Sequence, residues 1–370
     1  MENKFFSKKN IIIIDIVIVS ILAIFLAKLG IDKLILSKEL QKAEHGITMK
    51  ENVHMYSSPK EKKKYDSFEI GSDTYILKTV TDKDDNEWYK VKIGDKIGYV
   101  RAKEIGKFNS RHEKKDLMLD VSKFNMQNNF KTIGEFKAFV LKNNIKFVYI
   151  RAGGRGYGQA GNFYSDPYAD EYARACEFMN IPFGYYFLDE AINSQEVDEE
   201  VEFINKYISD RSYKNNILPV AIDVEKHAEP GRADKIWSTR YIFVNELTQK
   251  LAKKDIKSIL YSNAKLANEF LENVEAKMWL AYYPGVTEIP DYWYSDTEGD
   301  GALNKKIITK MIGWQFTEKG VAGVVDKKVD LSIVYSNYLL HDDMKDVEED
   351  IKKTNEMVFG PINNLIKNKS

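Results

Sequence analysis

The sequence predicts an α/β protein: a closed β/α barrel of about 220 residues, preceded by a small all-β unit and one membrane-spanning helix. Three observations carry this. Eight apolar strand-like runs follow residue 116, with helical stretches between the first five. Short alternating runs split by turn residues fill the region from Gly46 to about Ile105. An apolar run occupies Ile11 to Ala27.

Composition sets the outer bounds. A length of 370 residues allows about two domains with extra segments. The balance of 55 Lys+Arg against 56 Asp+Glu removes any charge argument for a nucleic-acid partner. One cysteine excludes an intrachain disulfide framework and multi-cysteine metal sites. The 22 Tyr, 19 Phe and 5 Trp suit stacking on sugar faces and equally suit an aromatic core.

The N-terminal run reads IIIIDIVIVSILAIFLA and carries one charge, Asp15. As a helix it would span about 26 Å, the short end of the membrane-crossing range. Asp15 lies near the apolar edge, where the headgroups lower its cost. Lys4, Lys8 and Lys9 favour a cytoplasmic N-terminus, although Lys28, Lys33 and Lys38 follow the run. Phe25-Leu26-Ala27 offers no A-x-A-like cleavage site. The expectation is a cytoplasmic tail over 1–10 and an uncleaved anchor over 11–29. The remainder would then lie on the cell-wall side of the membrane. Ile31, Leu34, Leu36 and Leu40 extend the anchor as a helical stalk over 30–45.

Residues 46–106 contain Val53-His54-Met55-Tyr56, Thr74-Tyr75-Ile76-Leu77, Glu87-Trp88-Tyr89-Lys90-Val91 and Ile97-Gly98-Tyr99-Val100. Ser58-Pro59, Gly71-Ser72, Asp84-Asp85-Asn86 and Gly94-Asp95 supply turns, and about five strands predict a small β-barrel. The E-W-Y-K-V run followed by G-Y-V resembles the bacterial SH3-like domains appended to cell-wall enzymes. That resemblance implies binding of wall peptide; a spacer is an equal alternative. Lys60 and Lys62 to Lys64 read as a solvated loop.

In the barrel region the strand-like runs are Leu117–Val121, Phe147–Ala152, Ile181–Phe187, Leu218–Val224, Ser258–Tyr261, Met278–Tyr282, Met311–Phe316 and Val329–Ile333. Helical stretches fall at Thr132–Lys142, Pro167–Met179, Glu196–Ser209 and Ala233–Lys253. This alternation argues for parallel pairing and closure, with ligand chemistry at the carboxyl ends of the strands. Cys176 reads as a small buried apolar residue. The unit is expected over 116–340, followed by a charged helix or tail over 341–370.

Four acids sit at the ends of these apolar strands: Asp120, Asp223, Glu225 and Asp330. A carboxylate is unusual in such a setting unless partnered. In Asp223-Val224-Glu225 the alternation puts both acids on one face, with Cα atoms roughly 6.6 Å apart. Such a pair suits glycoside hydrolysis, where one carboxyl is protonated and one ionised. Taken singly, each is equally a metal ligand, a helix cap, or half of an ion pair with Arg151 or Lys226.

Ordered motifs then resemble the glycoside hydrolase family 25 lysozymes, which are N-acetylmuramidases. They are Asp120-Val121-Ser122, Phe147 to Gly153 (FVYIRAG), Asp166-Pro167-Tyr168, Ile181 to Phe187 (IPFGYYF) and Pro219 to Glu225 (PVAIDVE). Tyr261 in ILYSN, Trp279 in MWLAYY, Trp314-Gln315 and Val329-Asp330-Leu331 follow in order. The resemblance implies a flattened barrel of five β/α units plus three strands. It also implies cleavage of the β-1,4 bond between N-acetylmuramic acid and N-acetylglucosamine in peptidoglycan, without metal or cofactor. Glu225 would be the general acid, and Asp223 would assist the substrate acetamido group or activate water. Asp120 and Asp330 would complete the catalytic set, with Tyr186, Arg151, Tyr261, Trp279, Trp314 and Gln315 binding substrate. Two positions depart from the family: Phe124-Asn125-Met126-Gln127 replaces a Trp-Gln, and Ser332 replaces an Asn. A wall-binding scaffold and a hydrolase of another N-acetylated glycan are the alternatives.

Other motifs are weaker. Gly156, Gly158 and Gly161 fit G-x-G-x-x-G, but no helix opens directly after them. The five histidines are scattered, with His227 close to the D-x-E motif. Tyr292-Trp293-Tyr294 is set for packing or for stacking on a sugar.

Overall fold

The computed structural model describes Lys28 and residues 33–60, 64–226, 231–291 and 299–352. The chain divides into two compact units, Met1–Lys107 and Phe108–Ser370. The apolar run Ile11–Ala27 lies outside the described residues. Among those described, no helix is long and apolar enough to cross a membrane. Residues 33–41 are helical.

The first unit is one antiparallel sheet of seven strands: β1 (Glu44–Thr48), β2 (Val53–Tyr56), β3 (Lys64–Phe68), β4 (Asp73–Thr81), β5 (Glu87–Ile93), β6 (Lys96–Arg101) and β7 (Ile105–Lys107). They pair in the order β3-β2-β6-β5-β4-β1-β7. Alternation drives the pattern: Val53, Met55, Ile76, Val91, Ile93 and Val100 enter one core while their neighbours face outward. Gly94 has φ +57° in the two-residue turn between β5 and β6, a position that favours glycine. The expected lysine loop is corrected at Lys64, which begins β3. KYDSF is an edge strand with no fully buried residue, so it lacks the apolar alternation that marks a strand.

The second unit is a closed barrel. Its strands are β8 (Lys115–Val121), β9 (Phe147–Arg155), β10 (Phe163–Ser165), β11 (Phe183–Leu188), β12 (Val220–Asp223), β13 (Ser258–Asn263), β14 (Met278–Ala281), β15 (Met311–Thr317) and β16 (Asp330–Tyr335). They run β10-β9-β11-β12-β13-β14-β15-β16-β8, and pairing of β8 with β9 closes eight of them, leaving β10 as a hairpin arm. Seven of the eight are parallel; β16 is antiparallel to both β15 and β8. Helices α1 (Lys123–Asn128), α2 (Ile133–Lys142), α3 (Ala169–Met179), α4 (Ser194–Ser209), α5 (Arg240–Ala252) and α6 (Ala264–Phe270) complete five β/α units. Among the described residues, the short α7 (Lys305–Ile308) is the one helix between the last three strands.

The single helix expected over Ala233–Lys253 is instead a 3-10 segment, Ala233–Thr239, followed by α5. Ile236 leaves helical geometry at φ −124°, ψ 20°, and the Thr239 hydroxyl donates to its carbonyl. Hydroxyl side chains compete in this way with the helical ladder.

The barrel has two apolar layers. Leu119, Val148, Phe187, Ile222, Leu260, Phe316 and Leu331 point outward against the helices. Met118, Tyr149, Ala221, Ile259, Trp279, Ile312 and Val334 fill the interior. Gly184 makes room for them: a Cβ there would lie 2.9 Å from both Tyr149 Cε1 and Leu218 Cβ. Ordered structure continues past residue 340. Tyr338 and Leu339 of α8 (Ser336–His341) and the fully buried Val347, in the helical stretch 345–352, pack on the interior cluster. Cys176 is buried in α3, and burial pushes its thiol up.

Candidate active site

Strand alternation selects which polar residues reach the mouth. Asp120 lies between the outward-facing Leu119 and Val121, Asp223 between Ile222 and Val224, and Asp330 between Val329 and Leu331. All three carboxylates are therefore turned inward. Asp120 and Asp223 end parallel strands, whereas Asp330 begins β16. Because β16 is antiparallel, its first residue reaches the same end and stands directly opposite Asp120. Glu225 follows β12 with the same parity as Asp223.

The electrostatics follow from this crowding. Burial, the Asp330 charge and the Glu225 charge push Asp120 well above the usual carboxylate range. Burial and Glu225 raise Asp223 strongly, and Arg151 opposes them. Burial, Glu318 and Glu225 push Asp330 up to about 7. Like charges share a low-dielectric mouth, so protons are retained there.

A polar shell fixes the acids. Gln315 Nε2 donates to Asp120 Oδ2 at 2.8 Å. Its Oε1 accepts from the hydroxyls of Tyr261, at 2.8 Å, and of Tyr283. Tyr261 also faces Asp223 across the ladder between β12 and β13. Arg151 and Tyr186 are register partners. Arg151 Nε donates to the buried Asp166 at 3.2 Å, and its guanidinium lies 4.9 Å over the Phe124 ring. Asp223 Oδ1 is buried with no hydrogen-bond partner among the described residues.

The sequence of residues 119–325, more than half of the chain, matches the model of glycosyl hydrolases family 25. The chain belongs to that family. It is a glycoside hydrolase. No curated protein sequence matches it. Among solved structures, it is similar to the spore cortex lytic enzyme SleM of Clostridium perfringens, at 19% identity over 63% of this chain and 71% of that one, TM-score 0.45. The catalytic domain of endolysin ply40, from bacteriophage P40 of Listeria monocytogenes, aligns at 19% identity over 62% and 97%, TM-score 0.43. A muramidase from Acremonium alcalophilum aligns at 14% identity over 62% and 100%, TM-score 0.42.

In this family 25 chain, Asp120, Asp223, Glu225, Asp330, Arg151, Tyr186, Tyr261 and Gln315 gather at one barrel mouth. Two expected sugar contacts are placed differently. Trp314 faces the helix layer and is 2% exposed, its Nε1 donating to the Tyr282 carbonyl at 2.8 Å. Its neighbour Gln315 takes the inward position, as the period of two dictates. Trp279 points inward but is also 2% exposed. It stacks on Tyr149 and lies 4.5 Å from the Tyr261 ring, so it supports Tyr261 from below. Its Nε1 donates to Ser332 at 2.9 Å, which gives the substituted Ser332 a structural task.

The sequence motifs contain Tyr283, the second tyrosine of the AYY run, and Asp166, but give neither a role; the structure makes Asp166 the partner of Arg151 and Tyr283 a donor to Gln315. Phe124 was noticed only as a departure; it is exposed beside Arg151. The Gly156–Gly161 loop joins β9 to the antiparallel β10, and Arg155 Nη1 donates to the Gly161 carbonyl at 3.0 Å. No helix follows it directly, as a dinucleotide loop requires. His227 and Tyr292-Trp293-Tyr294 lie outside the described residues.

Proposed function

We propose that this glycoside hydrolase cleaves the β-1,4 bond between N-acetylmuramic acid and N-acetylglucosamine in peptidoglycan, on the outer side of the cell membrane. The observation that carries the reading is the clustered set of four carboxylates, with Asp120 and Asp330 directly opposed. Their crowding favours retention of protons near neutrality, as a general acid requires. Glu225 is that acid and donates its proton to the leaving oxygen. Asp223 Oδ1, an acceptor with no hydrogen-bond partner among the described residues, takes the N–H of the substrate's 2-acetamido group. The acetamido oxygen attacks the anomeric carbon as the protonated leaving oxygen departs, and water deprotonated by Glu225 then opens the cyclic intermediate, the substrate-assisted variant of retention. Asp120 and Asp330 hold the sugar and keep the mouth acidic. Tyr186, Arg151, Tyr261 and Gln315 shape it.

The apolar run Ile11–Ala27 supports a membrane anchor, and the 46–106 unit, read as SH3-like, supports contact with wall peptide. Mass analysis of fragments from purified peptidoglycan tests the reaction: muramic acid is expected at every new reducing end. Glucosamine there overturns the bond assignment, and absence of new reducing ends favours a wall-binding scaffold. Proton NMR during hydrolysis tests the route. The β anomer is expected first; the α anomer first means that Asp223 instead activates water.

A further inference from the structure

A second cluster of charge lies beside the mouth, at the carboxyl end of β11, and is not part of the carboxylate set. Asp189, Glu190, Glu200, Arg155 and Arg240 are each at most 4% exposed, in a region where unpaired charge is costly. Asp189 follows β11, and its N–H donates to the Asp223 carbonyl at 3.0 Å. The register Leu188 opposite Asp223 is thus extended by one bond onto the acid's own main chain. Arg240, from α5, grips this corner with its two terminal nitrogens, Nη1 and Nη2. Nη2 binds the Asp189 carbonyl and lies 3.1 Å from Asp189 Oδ2, while Nη1 donates to the Ala191 carbonyl. From α4, Glu200 accepts from Arg155 Nε at 3.0 Å and from the Glu190 N–H at 3.3 Å. Burial first, and then the neighbouring Asp189, push the Glu200 carboxyl well above its usual range, while Arg240 and Arg155 oppose them.

We infer that Asp189 is a positioning residue for the reaction: clamped by Arg240 and Glu200, it fixes the main chain of Asp223 and keeps a negative charge beside that residue. This rests on the proposed role of Asp223. Other groups facing Asp223 are Glu225 beyond its own strand, Arg151 on β9 and Asp120 on β8. Tyr164 on β10, Tyr186 on β11 and Tyr261 on β13 complete the surroundings. Arg151 opposes the accumulated negative charge, and Asp189 adds to it.

The test uses the full chain with 13Cγ-labelled aspartate, the Asp223 signal being assigned by its loss in Asp223→Asn. In Asp189→Asn the titration midpoint of Asp223 should fall by roughly 0.5–1 pH unit. Glu200→Gln, which keeps the side-chain shape and leaves Asp189 in the chain, should leave it in place. An unmoved midpoint in Asp189→Asn overturns the inference, whatever happens to the melting temperature. Arg240→Lys keeps the cation but loses the fork. Glycan release should slow by roughly tenfold in kcat with KM within twofold, and wild-type kcat there also overturns the inference. The signal reads Asp223 directly, so a fully active Asp223→Asn would sink the proposed role of Asp223 without touching this result.

Discussion

Asp330 stands opposite Asp120 in an antiparallel ladder, where like charges ordinarily destabilise a sheet. The cost should be visible as pH-dependent stability. Asp330 has its folded value raised to about 7 from 3.8, so the folded state holds the proton more tightly than the unfolded chain. Its stabilising contribution is complete below about pH 4 and is lost as the pH rises through about 7. Asp120 and Asp223 shift in the same direction. Thermal unfolding should therefore give a melting midpoint that falls between pH 5 and pH 8, and Asp330→Asn should flatten the fall. Parallel curves for the two proteins would remove the pair as its source. Glu225→Gln keeps shape but cannot donate a proton, so turnover on purified wall should drop by roughly 10²–10⁴, with wall binding retained. Near-native turnover would move the general acid elsewhere. These four acids were legible because each sits at, or just beyond, the end of an apolar strand. The burial of Trp279 and Trp314 was not, since the same residue type serves a sugar platform and a core. Asp189 was invisible for another reason. A charged residue after a strand looks solvated until Glu200 and Arg240 arrive from distant helices.

At the scale of elements, the eight barrel strands were readable because most carry continuous apolar runs bounded by turns. The polar β3 carried no such signal. The helix break at Ile236 depends on a local hydroxyl bond that periodicity does not report. Gly184 shows how one position governs several strands. Gly184→Val would drive a side chain into Tyr149 and Leu218, destabilising the barrel by about 1–3 kcal/mol in chemical denaturation. Unchanged stability would mean that the interior yields more easily than its contacts suggest. The stretch 345–352, within the expected charged helix or tail, is helical, and a single residue, Val347, is its fully buried anchor. Lys114 and Lys115 both reach Asp350 on the same stretch, at 3.0 and 2.9 Å. Val347→Ala should cost roughly 1–2 kcal/mol, which a urea titration of the wild type and variant would resolve.

At the scale of the molecule, sequence reading of the N-terminal run predicts that full-length chain partitions with membranes and that external protease reaches residues beyond Gly46. Recovery of a soluble form starting near Lys28 would identify a cleaved leader instead. Within the second unit, the antiparallel closing strand has a geometric consequence. β8 starts at Lys115 and β16 ends at Tyr335, and these two residues are partners across the ladder. The chain enters and leaves this barrel on the floor side, away from the acids. The unit is topologically close to a ring whose opening could be moved. Joining the two ends and cutting instead in an exposed helix–strand connection, such as that after α5, would reorder the sequence while leaving the mouth intact. A circularly permuted enzyme that still releases glycan fragments is the expected result.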